Sequence, residues 1–177
     1  MNGAQEPSTL PALPRKRVAA GALFLNAAGK LLLVNPTYKP PWEIPGGMVE
    51  ADEAPLAACR REIQEEIGLT ITPGMLLSVG YLRSYNNRGD SVRFIFWGGV
   101  LDTTTIDSIQ LQASELSEYR FVTIDEAADL VRPSLHAQLT QCLQNLAADP
   151  NGTMSNVHGP AVSGFNVYWE ETDCEEA

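Results

Sequence analysis

The sequence predicts an α/β fold, and three observations carry that reading. Two pairs of β-rich runs, residues 18–26 with 30–35 and residues 75–85 with 91–101, are each separated by turn residues. Between the pairs, Leu56, Cys59, Ile63 and Ile67 recur at three and four residues, which is the helical period. A last helical stretch, residues 133–146, carries Leu135, Leu139, Cys142, Leu143 and Leu146 on one face and is expected to pack on the sheet opposite the first helix.

In chain order, the first 14 residues are rich in proline and small polar residues and read as a disordered lead. Arg15, Lys16 and Arg17 form a short basic cluster, read first as a solvated boundary and second as a phosphate contact. The first hairpin turns at Ala27, Ala28 and Gly29. Residues 36–41 hold three prolines and make an irregular loop, on which Tyr38 and Lys39 are candidates for ligand contact. Trp42 follows, with core packing and base stacking as its two readings.

Pro45, Gly46 and Gly47 break the chain, and Gly68 ends the segment that follows, so an amphipathic helix is expected over residues 54–67. Glu62, Glu65 and Glu66 project from neighbouring positions on it. Like charges at that spacing cost roughly 0.2–0.5 kcal/mol per exposed pair, and Arg61 offsets only part of this through Glu65. A hard divalent cation, which takes oxygen ligands and shares them with substrate phosphates, would neutralise the rest.

The second hairpin turns over residues 86–90, with Arg83, Arg88 and Arg93 around it; guanidinium groups suit phosphate oxygens. Residues 103–113 read as a loop. Thr123 or Asp125 is expected to cap a short helix through Leu130, and His136 beside the last helical face reads as structural. Residues 149–164 read as a flexible linker, residues 165–169 as a short strand, and the acidic remainder as a tail.

The chain has 177 residues, enough for one domain with a sizeable core, and a net charge of −10. That balance argues against non-specific nucleic-acid binding and agrees with a metal requirement for any polyphosphate ligand. Cys59, Cys142 and Cys174 are widely spaced and suggest neither a zinc pair nor a disulfide framework, so a cytoplasmic location is expected. No apolar run is long enough to cross a bilayer as a helix.

From Gly46 to Leu69 the chain resembles the Nudix box, in which Gly47, Glu53, Arg61, Glu62, Ile63, Glu65, Glu66, Gly68 and Leu69 fill every fixed position. The resemblance, extending over residues 17–146, implies an α/β/α sandwich with a curved mixed β-sheet and one Nudix hydrolase domain at residues 15–147. It implies hydrolysis of a diphosphate linkage assisted by Mg2+ or Mn2+. Glu62, Glu65 and Glu66 would bind metal, with the Gly46 carbonyl a further ligand; Arg61 would hold a glutamate, and Glu53 would brace the loop. Glu65, Glu115 and Glu118 stay open as the general base. Asp52 departs from the glycine common in relatives, in a place where an Asp can still turn the chain.

For the substrate, Tyr38, Lys39, Trp42, Arg83, Tyr85 and Arg93 are the candidate contacts. A nucleoside triphosphate or nucleoside diphosphate derivative leads. An isoprenoid-type diphosphate in a cleft lined by Trp42, Phe94 and Phe96 is the alternative, and a non-catalytic nucleotide sensor is the competing class. No nucleic acid or membrane partner is expected, and a homodimer is open.

Overall fold

In the computed structural model, residues 15–84 and 89–148 are described in full and residues 168–170 by their backbone. The elements are β1 (Arg17–Asn26), β2 (Leu31–Pro36), β3 (Gly46–Met48), α1 (Pro55–Ile67), β4 (Leu76–Leu82), β5 (Ser91–Leu101), α2 (Thr103–Asp107), β6 (Leu116–Val122), α3 (Ile124–Ala127), α4 (Pro133–Ala148) and β7 (Tyr168–Glu170). The lead at residues 1–14, the turn at 85–88, the linker at 149–164 and the tail from 171 lie outside the described residues.

Both expected hairpins form, β1 with β2 and β4 with β5, each antiparallel. The sheet runs β6-β2-β1-β5-β4-β7, with β3 also paired to β1. It is mixed, because β1 lies parallel to β5 and β4 parallel to β7. Register shifts at Leu23/Phe24, Asn35/Pro36 and Leu76/Ser78 are irregularities of the kind that bend a strand and increase its local twist.

Side chains alternate across the strands, so the sheet divides two cores. Ala20, Ala22, Phe24, Leu32, Val34 and Phe96 meet Ala58, Cys59, Ile63 and Ile67 of α1 on one face. On the other, Leu23, Leu31, Leu33, Ile95 and Val122 meet Leu135, Leu139 and Cys142 of α4. This is the α/β/α arrangement.

Residues 103–107, expected as loop, form α2. The Asp102 carboxylate accepts from the backbone N–H of Thr105 and so satisfies a donor that the helix leaves orphaned. Thr123 caps α3 in a reciprocal box with Glu126, and α3 ends at Ala127, short of Leu130. His136 Nε2 lies 3.0 Å from the Ile124 carbonyl and ties α4 to α3, the structural role expected of it. The basic cluster is a clamp on the second hairpin: Lys16 pairs with Asp90, and Arg17 donates to the Gly89 carbonyl at 3.1 Å.

Candidate active site

Segment 42–48 positions the site by running between β2 and β1. The Glu43 N–H donates to Val34 O at 3.0 Å, and Ala22 N–H donates to Pro45 O at 2.9 Å. Gly46, Gly47 and Met48 then pair with Gly21, Ala20 and Ala19. The two glycines are required by close approach. A Cβ on Gly46 would lie 2.4 Å from Ala20 O, and one on Gly47 would lie 2.4 Å from Glu62 Cδ.

The turn to α1 passes through Asp52 with φ of 60°, the one non-glycine with positive φ among the described residues. An Asp tolerates that conformation better than most side chains, so the departure from glycine is accommodated. Pro55 opens α1, where its missing N–H costs nothing. Gly68 closes α1 with φ of 72° and donates to Gln64 O at 3.2 Å.

Arg61 is the hub. Its Nε and Nη2 donate to the two oxygens of Glu53 at 2.9 and 3.0 Å, and Nη1 donates to Glu62 at 2.8 Å and Glu65 at 3.1 Å. Nη2 also donates to Met48 O at 3.0 Å, so one guanidinium binds the helix to the loop before it. Glu53 completes the brace by accepting from Glu50 N–H at 3.0 Å. The Arg61 hydrogen bond and the Glu50 amide hold the Glu53 carboxyl below the usual range, and the same carboxylates push the Arg61 guanidinium up.

Glu66 is buried, 7% exposed, and accepts from Gly46 N–H at 2.7 Å. Desolvation pushes its carboxyl up to about 8, with Glu62 and Glu115 adding to the rise while the Gly46 amide and Lys39 oppose it. Glu62 is also raised, first by burial, with Arg61 opposing. A buried carboxyl raised in this way gains from a cation, and a donor set of carboxylates suits a hard one. Among the described residues no three acidic, histidine or cysteine side chains converge at ligand distance, and Arg61 holds Glu62 and Glu65.

Glu115 reaches the site through the backbone. Gln110 and Gln112 N–H groups donate to Ile67 O and Glu66 O, capping the end of α1 and laying residues 110–115 along it. Thr37 N–H then donates to Glu115 O at 2.8 Å, which ties in the 37–41 loop. On that loop Tyr38 is 70% exposed, and its hydroxyl is raised by partial desolvation and by the charges of Glu66, Glu43, Glu115 and Glu62. Lys39 Nζ lies 5.5 Å from the Tyr38 ring centre and pairs with Glu43 at 2.8 Å.

Of the expected site residues, Glu62, Glu65, Glu66, Gly46, Gly47, Glu53, Arg61, Glu115, Tyr38 and Lys39 come together, while Gly68 caps the far end of α1 against Gln110. Others do not. Trp42 is buried in the α4-side core, where Arg120 lies 4.8 Å over its ring, so it packs and has no open face for a substrate. Arg93 points to the same side and donates to Gln138 of α4. Glu118 pairs with Arg120 across the strand face that holds Trp42, opposite α1, which removes it from the set of candidate bases. Arg83 is exposed beyond the end of β4. Tyr85 and Arg88 lie outside the described residues. Phe94 and Phe96 belong to the α1-side core, so they cannot line one cleft with Trp42.

Two contributors escaped sequence reasoning. Glu43, the partner of Lys39, and Gln112, which caps Glu66, carry no spacing signal; only the fold brings them in.

A family model described as NUDIX domain matches residues 15–145, and the chain belongs to the Nudix family. It is 37% identical over 122 residues to the mouse protein named 8-oxo-dGDP phosphatase NUDT18, covering 61% of this chain and 36% of that one. Phosphatase NudJ of Escherichia coli is 27% identical over 147 residues, 81% of this chain and 94% of its own length. Among solved structures, the MutT protein from Methanosarcina mazei Go1 superposes with a TM-score of 0.64 at 21% identity, over 75% of this chain and 97% of that one. A Caenorhabditis elegans Ap4A hydrolase does so with 0.63 at 22%, over 75% and 98%. These two likenesses concern the fold. The chain spans 30–41% of the length of mouse and human NUDT18 and of Nudix hydrolase 5 from Arabidopsis thaliana.

Proposed function

We propose that the chain is a metal-dependent pyrophosphohydrolase that cleaves a diphosphate linkage in a nucleotide-type substrate, either a nucleoside triphosphate or a nucleoside diphosphate derivative. The observation that carries this reading is the pinning of Glu62 and Glu65 by Arg61 beside the buried Glu66, over a backbone with no room for side chains. The relatives named for 8-oxo-dGDP and for phosphatase activity support the substrate class.

Glu62, Glu65 and Glu66, with the Gly46 carbonyl, would hold Mg2+, with Mn2+ as the substitute. Such an ion polarises phosphoryl oxygens, lowers the pKa of water and shields the diphosphate charge. The chain's own part is positioning, which dominates phosphoryl transfer. Arg61 orients Glu62 and Glu65, Gly46 N–H orients Glu66, and Glu65 or Glu115 takes the proton from the attacking water. Tyr38 stands at the open side of the carboxylates, where its ring is available to a base.

The separation of Trp42 from Phe94 and Phe96 weighs against the isoprenoid alternative. The complete set of box carboxylates weighs against a sensor without turnover. Free, buried Cys59 and Cys142 support a cytoplasmic setting. The acidic charge supports a small-molecule substrate over nucleic acid.

The test is release of phosphate or nucleotide product from a panel of nucleoside di- and triphosphates, ADP-ribose, nucleotide sugars, dinucleoside polyphosphates and isoprenoid diphosphates, with and without Mg2+. The Glu66→Gln variant is expected to lose most metal-dependent turnover. Full turnover in that variant would refute the assigned metal set.

A further inference from the structure

Around the carboxylates, negative charge far outweighs positive charge. Among the described residues Glu43, Glu53, Glu62, Glu65, Glu66 and Glu115 gather there, and the cations whose charges bear on Glu62 and Glu66 are Arg61 and Lys39. Arg61 is committed, since its donors serve Glu53, Glu62, Glu65 and Met48 O. Lys39 is not. Among the described residues its ammonium has one salt-bridge partner, Glu43, in a pair whose two side chains keep 29% and 21% of their exposure. It sits four residues before that partner, on a loop that also carries the exposed Tyr38.

An ammonium is a compact point charge on a flexible stem, and exchanging one anion for another costs it little when the pair is partly solvated. Glu43 itself is fixed, because its backbone N–H bonds Val34 O and its C=O accepts from Val34 N–H at 2.9 Å. The loop end that bears Lys39 can therefore move its charge while Glu43 stays in place.

We infer that Lys39 is the phosphate-binding cation of this site and that Glu43 is its internal counter-anion, which a diphosphate displaces. The inference rests on the reading of the chain as a diphosphate hydrolase.

The consequence is a coupling between two side chains that a simple surface pair would not show. Lys39→Met should raise KM for a nucleoside diphosphate roughly tenfold and leave kcat within about twofold, as loss of uniform binding does. Glu43→Gln should lower KM severalfold by releasing Lys39. In the double variant the Glu43→Gln gain should vanish, because it acts only through Lys39. Lys39→Arg should restore most of the binding.

The wild type and these four variants should be titrated with methylenediphosphonate in Ca2+ by calorimetry, so that binding is read without hydrolysis. An equal gain from Glu43→Gln with or without Lys39 would mean general charge repulsion and would overturn the latch. So would an unchanged KM and Kd in Lys39→Met. Absence of turnover with the coupled binding pattern intact would instead sink the hydrolase reading and leave the latch standing.

Discussion

The carboxyl of Glu62 occupies the space that a side chain on residue 47 would need: a Cβ built on Gly47 falls 2.4 Å from Glu62 Cδ and 2.5 Å from its Oε1. The glycine is there for the helix and not for its own turn. Gly47→Ala should leave the fold intact and displace Glu62. We expect turnover to drop about a hundredfold, the usual cost of misplacing a reacting group by about 1 Å. Steady-state kinetics with a circular dichroism control checks this, and wild-type turnover in Gly47→Ala would disprove it.

Arg61 stabilises the loop before α1 as well as the carboxylates on it. Arg61→Ala should lower the melting temperature by roughly 5 °C, since three carboxylates lose their counter-ion and the Met48 carbonyl its donor. Arg61→Lys should recover only a minor part, because an ammonium cannot copy the paired donors to Glu53. Differential scanning calorimetry separates the two outcomes.

Glu66 sets a pH dependence with a defined sign. Its folded value of about 8 lies above the ordinary 4.5, so between these the folded protein binds more protons than the unfolded chain. The stabilisation is complete below about 4.5 and is lost as pH rises through about 8. Metal-free protein should thus melt several degrees lower at pH 9 than at pH 6. Mg2+ should raise the melting temperature more at pH 9, where the carboxylate is ionised, and Glu66→Gln should flatten both responses.

Cys59 and Cys142 are inert by burial. Desolvation pushes both thiols up to about 12. A thiol-directed alkylating reagent at pH 8 should leave both unmodified in the native protein and label them once denaturant is added. Mass spectrometry of the digested protein reads the positions directly. Native labelling of Cys59 would show that α1 opens on the time scale of the reagent.

The box helix was legible because periodicity and two flanking glycine sites state where it starts, stops and faces. α2 was not. Residues 103–107 have no apolar stripe, and the signal lay in one side chain, Asp102, reaching the Thr105 amide. The sequence marks hairpins between neighbours, but the parallel pairing of β1 with β5 and the passage of segment 42–48 between β1 and β2 are long-range choices. The same limit governs the site. Alternation shows that Arg93 and Phe94 point opposite ways along β5, yet nothing local says which side receives α1. Trp42 takes the core-packing one of its two readings and Glu118 is displaced from the expected site for the same reason, and Glu115 is retained because residues 110–115 cap the helix end.

Segment 42–48 is threaded through the sheet, with Trp42 moored among the α4-side residues and Gly46 holding Glu66 on the α1 side four residues later. Such a mooring sets the position of Gly46, and with it Glu66, from the sheet and not from the loop that precedes it. Residues 37–41 act on the carboxylates by other routes, through the Thr37 bond to Glu115 O and the Lys39 pair with Glu43. A change in that loop is therefore felt first at Glu115 and Glu43, while Gly46 keeps its register on β1 and its hold on Glu66.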